Sequence, residues 1–289
     1  KGHIVFPTSA FEQVLAAKED SIILGGVKAL NRGMATFCEV DPRMYGAAYI
    51  PFNFGEEVAL KFLKDAIKDN FSVILIDTIA PEGCKAFTHP DYDVVWQEIQ
   101  ESDITITLHV GADSSWDPVP LSFYNNDSSV PVHKAGDAPR DALAYMGISY
   151  NAELFLASMI FDGVLERFPN LRIGVVELGA SWIISWMKHL DQSYRAFRRI
   201  QDLSQVKQLP SEYVKKHIKI TPFPGEDIGW LLTSGAADLL MFASDYPHHE
   251  GTDDPISRFE KTMLEIDEGT KKKFYSDNFK GLLGSNIID

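Results

Sequence analysis

Asp245, Tyr246, His248, His249 and Glu250 crowd the exit of an apolar run over residues 239–244. A buried strand ordinarily ends in turn residues. A carboxylate followed by imidazoles at the C-terminal end of a parallel strand can instead ligate a divalent metal or transfer a proton. The alternative is that Asp245 caps the next helix or closes a loop, as Ser-Asp pairs after strands do.

Two further strand exits carry the same kind of group. The run 104–110 holds His109 ahead of Gly111, which lets the backbone turn sharply and leaves the imidazole facing a barrel mouth. The run 172–178 holds Glu177 ahead of Gly179. A lone histidine at a strand end is more often a satisfied core residue than a ligand. Three ionisable groups at the same end of three parallel strands, however, converge on one small volume.

The elements that must position them read as an α/β chain. Near-continuous apolar runs at 3–7, 44–50, 72–77, 104–110, 172–178, 218–221 and 239–244 have the character of strands buried on both faces. Amphipathic stretches at 56–69, 94–101, 151–168 and 182–200 alternate with them as crossover helices. Seven strands are one short of a closed (β/α)8 barrel, so one expectation is such a barrel whose first strand precedes Lys1. An open, doubly wound sheet is the competing architecture. No linker divides residues 1–289, which read as a single domain. Only residues 112–145, rich in Ser, Asp, Pro and Asn, break the rhythm and read as a lid or insert loop. Within it Trp116, Phe123 and Tyr124 could cover a ring-shaped substrate or pack on a partner subunit, and His133 reads as exposed.

Composition narrows the partners. With 45% hydrophobic residues in 289, the chain can bury a large core. Its 27 basic and 41 acidic residues give a net charge of −14, which repels nucleic acid and anionic lipid. No apolar run is long enough to span a bilayer, and the expectation is a cytoplasmic protein. Cys38 and Cys84 fit no disulfide or metal spacing and read as ordinary thiols. Lys271, Lys272 and Lys273 read as a solvated helix face, and Arg43 and Arg172, each preceding a strand, as bottom-face residues. Asp77 at a strand end could reach the mouth or cap a turn. No glycine-rich nucleotide motif follows any strand.

Four motifs in this order resemble the amidohydrolase superfamily, in the amidohydrolase-2 branch related to aminocarboxymuconate semialdehyde decarboxylase. They are Leu-His-Val-Gly at 108–111, Phe-Pro-Asn-Leu-Arg at 168–172, Glu-Leu-Gly-Ala-Ser-Trp at 177–182 and Ser-Asp-Tyr-Pro-His at 244–248. The resemblance implies a distorted TIM barrel with one divalent metal, zinc or alternatively manganese, held here by His109 and Asp245. The family's strand-one pair of ligands has no counterpart, since His3 falls in what reads as strand two. Glu177 stands where the prototype has a catalytic histidine and is open to a role as base, ligand or orienting partner. Asp245 and His248 complete the catalytic set, and His249 reads as exposed.

By this resemblance the chemistry is non-oxidative decarboxylation of a small unsaturated or aromatic acid, with Asp245 helping to protonate carbon. Hydrolysis of an amide, ester or lactone by activated water is the alternative, with Asp245 passing the proton to the leaving group. A third reading is an inactive barrel serving as a binding module. A homodimer working on a small organic acid is the expected assembly.

Overall fold

The run Met44–Ile50 forms the longest strand of the sheet, and six of its seven residues are buried. In this computed structural model the described residues are 2–7, 9–110, 123, 141–246, 248 and 251–287. Among the described residues six strands form one sheet: β1 His3–Val5, β2 Met44–Ile50, β3 Val73–Ile76, β4 Thr105–His109, β5 Arg172–Val176 and β6 Ile218–Ile220. Each pairs in parallel with the next, in the order β1-β2-β3-β4-β5-β6. A sheet that never reverses its order is wound in one direction, as a barrel wall is, and this removes the doubly wound alternative. The fold is α/β, a distorted TIM barrel. β2 to β6 are built from apolar and β-branched residues because helices cover one face and the barrel interior the other.

The expected seventh strand is reduced to a single parallel bridge between Ile220 and Leu240. Met241 donates to the Ile220 carbonyl at 2.8 Å, but Phe242 then donates to the Phe274 carbonyl at 2.9 Å. That second bond draws the chain off the sheet after one pair. The stretch read as one helix over 151–168 is two, Tyr150–Phe161 and Val164–Arg167, separated at Asp162 and Gly163. Other helices stand close to their expected positions, at Glu56–Lys68, Asp93–Glu101 and Ile183–Phe197. A further crossover helix, Asp20–Cys38, joins β1 to β2.

The loop expected over 112–145 is shorter at its far end. Ala142–Met146 is helical because the Asp141 carboxylate accepts the amide hydrogens of Leu143 and Ala144, both at 2.9 Å. Trp116, Tyr124 and His133 lie outside the described residues, and Phe123 is exposed. Among the described residues no helix is long and apolar enough to cross a membrane.

Candidate metal centre

Register brings the site together. His109, the last residue of β4, pairs with Val176, the last of β5, so Glu177 emerges one residue beyond it on the neighbouring strand. Across β6, the bridge at Leu240 starts the segment that reaches Asp245 and His248 on the same end of the sheet. Both acids sit on left-handed backbone, Glu177 at φ 58° and Asp245 at φ 51°. Aspartate tolerates that conformation readily, whereas for glutamate it is uncommon and costs about 1 kcal/mol or more.

The Asp245 turn is tightly drawn. Its carbonyl accepts the His248 amide hydrogen at 3.0 Å, and Thr252 closes back on the Ser244 carbonyl at 3.1 Å. Gly251 has to be glycine here, because a Cβ would lie 2.0 Å from the Asp245 carbonyl oxygen.

Glu177 stands at the centre of the group. Its Oε2 is 2.6 Å from His109 Nε2 and its Oε1 is 2.6 Å from His248 Nδ1. His248 Nδ1 is also 3.1 Å from Asp245 Oδ1. Burial alone would push the Glu177 carboxyl up. The hydrogen bond and charge of His109 outweigh it, with further hydrogen bonds to Asp245 and His248, and hold the carboxyl down at about 2. His109 Nδ1 lies 2.7 Å from the Val110 carbonyl, which can only accept, so Nδ1 carries a hydrogen and Nε2 is the nitrogen turned to the site. Phe6 packs against the same imidazole, with ring centroids 4.3 Å apart and planes tilted by 39°.

Exposure is graded across the group. The His109 and Glu177 side chains are 9% and 4% exposed, Asp245 14% and His248 32%. The cluster is closed off at its His109 and Glu177 end and meets solvent most at His248.

Each of Glu177, Asp245 and His248 offers one ligand atom within 4.8 Å of the others. Two carboxylates this close repel unless a proton or a cation lies between them, and a nitrogen and two oxygens suit zinc or manganese. The donor set therefore fits a divalent ion.

All the sequence-derived candidates, His109, Glu177, Asp245 and His248, meet in this cluster. Pro247, His249 and Glu250 lie outside the described residues. Asp77 is fully buried, where its carboxylate accepts the Tyr49 hydroxyl at 2.7 Å and the Asn53 amide hydrogen at 3.3 Å. Thr221, whose Oγ1 accepts the Glu177 amide hydrogen at 3.2 Å, and Phe6 were not apparent as site residues. Their one signal was a position at the same end of a strand.

A parallel barrel wall with acids and imidazoles at the carboxyl ends of its strands defines a metal-dependent barrel enzyme. The chain belongs to the amidohydrolase family, whose model, described as Amidohydrolase, matches residues 12–284. No curated protein matches it. Among solved structures it is similar to an amidohydrolase from Mycobacterium avium subsp. paratuberculosis K-10, at 21% identity and a TM-score of 0.79, covering 98% of this chain and 70% of that one. It is also similar to 5-carboxyvanillate decarboxylase LigW from Sphingomonas paucimobilis, at 19% identity and a TM-score of 0.71, covering 98% and 78%. A third is a dihydroxybenzoic acid decarboxylase from Polaromonas sp. JS666 with bound manganese and the inhibitor 2-nitroresorcinol, at 20% identity and a TM-score of 0.69, covering 95% and 80%.

Proposed function

We propose that this enzyme removes carbon dioxide from a small unsaturated or aromatic carboxylic acid with the help of one divalent metal. The observation that carries the reading is the convergence of Glu177, Asp245 and His248, with His109 joined through Glu177, at the carboxyl ends of the strands. Two of the similar structures are decarboxylases of aromatic acids by name, which supports this choice over other barrel chemistries. His109, Asp245, His248 and Glu177 would hold the ion, zinc from the mixed nitrogen and carboxylate donors, or manganese as in the Polaromonas structure. When bound, the ion supplies a positive charge that orients the substrate carboxylate and draws off electron density.

The side chains then manage one proton. The bond from carbon to the carboxylate breaks, its electron pair stays on carbon, and a proton must reach that carbon. Asp245 is hydrogen-bonded to Glu177 and can hold the proton at its carboxyl and deliver it, and solvent at the half-exposed His248 side replaces it. Glu177, kept ionised, orients both imidazoles throughout.

Hydrolysis of an amide, ester or lactone is the second reading. The observation that favours it is the Asp245 carboxylate 3.1 Å from His248 Nδ1, a group placed to take a proton from water and pass it to the leaving group.

The first test is metal content by inductively coupled plasma mass spectrometry on protein purified without chelator, native against His109→Ala. The expected result is close to one zinc or manganese per chain, lost in the variant. Carbon dioxide release from a panel of small acids, set against amide, ester and lactone cleavage, then separates the two readings. Absence of metal from the native protein would overturn both.

A further inference from the structure

The turn that carries Glu177 is held at both ends by a single neighbouring loop, the one that follows β6. At the near end Thr221 Oγ1 accepts the Glu177 amide hydrogen at 3.2 Å. At the far end the Glu226 carboxylate accepts the amide hydrogens of Ala180 at 3.0 Å and Ser181 at 2.6 Å, and the Ser181 hydroxyl. The same carboxylate also accepts the Phe223 amide hydrogen at 2.6 Å, which folds its own loop into a hook.

This turn needs such support. Glu177 and Gly179 both take positive φ, 58° and 65°. Left-handed backbone at a glutamate persists only where its surroundings over-determine it. Released from its straps, the turn would relax and swing the Glu177 carboxylate away from two contacts that are each 2.6 Å long. The Glu226 carboxylate is bonded to three backbone amides and the Ser181 hydroxyl, so it acts on the cluster through the backbone it holds.

We infer that Thr221 and Glu226 are positioning residues that fix the Glu177 carboxylate between His109 and His248 and thereby set the metal affinity of the site. The inference rests on the metal reading above. Its rival is that Glu226 merely caps the start of the helix Ile183–Phe197, where a carboxylate is favourable in any protein.

Zinc alone, titrated into metal-stripped full-length protein against a chromophoric chelator, decides between them. The variants are Thr221→Val, Glu226→Gln and Glu177→Gln, with each of the first two also combined with the third. Each of the first two is expected to weaken zinc binding about tenfold, as loss of an orienting partner does. In the Glu177→Gln background the same changes should add less than about twofold, because what they position has gone.

A capping role predicts instead a lower Tm with unchanged zinc affinity, or an equal loss in both backgrounds, and either result overturns the inference. Native protein that binds no zinc would sink the metal reading and the inference with it, whereas Glu177→Gln protein that binds zinc as tightly as native would sink the inference alone. Thr221→Val keeps the shape of the side chain, so the test stands even where the Glu226 variant fails to fold.

Discussion

Asp245 is where the two chemical readings meet, since both require it to hold a proton and neither offers a substitute. Asparagine keeps the shape and accepts the same left-handed backbone, found here at φ 51°, but its amide cannot carry an acidic proton. Asp245→Asn is therefore expected to lower kcat by at least about a thousandfold with Tm nearly unchanged, by steady-state assay and calorimetry. Asp77 is the contrasting acid. It is fully buried, with the Tyr49 hydroxyl 2.7 Å away, and its role is to tie β3 to β2. Tyr49→Phe removes one donor to a buried carboxylate and should cost about 1–3 kcal/mol while leaving turnover per folded molecule intact. A Tyr49→Phe enzyme with native stability and lost turnover would put Asp77 in the chemistry instead.

At the scale of elements, the parallel strands were legible because burial on both faces leaves near-continuous apolar runs, and β2 falls over 44–50 as read. The break in the helix after Phe161 was not, because the apolar pattern runs on through Asp162 while Gly163, at φ 72°, turns the backbone. The reduction of 239–244 to one bridge was equally hidden, since it depends on the Phe274 carbonyl, 32 residues away in sequence, capturing the Phe242 amide. In the site, the four chemical residues could be picked out at strand ends, but not the central place of Glu177. That place follows from the pairing of His109 with Val176, and strand register leaves no mark on composition. Glu226 left no trace at all, because a side chain that bonds to backbone in another loop has no period. The bottom face offers an element-scale prediction. Arg172, at the start of β5, donates to the Leu282 carbonyl at 2.7 Å and the Asp103 carbonyl at 2.6 Å, and its guanidinium pairs with the Asp103 carboxylate. It thus pins the helix Asn278–Leu283 under the sheet. Arg172→Ala removes a donor to two backbone carbonyls and should cost about 1–3 kcal/mol and lower Tm by roughly 2–12 °C without changing metal stoichiometry, by calorimetry and mass spectrometry.

For the whole molecule the question is how stability answers to pH, and the bottom of the barrel holds an informative group. His217, 2% exposed, ends the helix Pro210–His217 just before β6 and lies 2.7 Å through Nδ1 from the Leu171 carbonyl. Burial is the main reason that its pKa sits below the ordinary histidine value of 6.5, and the hydrogen bond to Leu171 only partly opposes it. A folded-state pKa below the unfolded one means that the unfolded chain binds the proton more readily. The stability His217 contributes is therefore complete above about pH 6.5 and is lost as pH falls from there through the folded value, at up to about 1.4 kcal/mol per pH unit. His217→Asn retains a donor of similar placement for the Leu171 carbonyl and removes the titration. Urea unfolding of both proteins from pH 8 to 5 should give curves whose difference is constant above about pH 6.5 and shifts progressively in favour of the variant below it. The net charge of −14 helps to keep molecules apart through the upper part of that window, while the sequence pI near 5.0 makes low protein concentration necessary at its acid end. A difference that stayed constant down to pH 5 would mean that His217 already binds its proton equally in both states, and that burial at the bottom of the barrel does not keep it neutral.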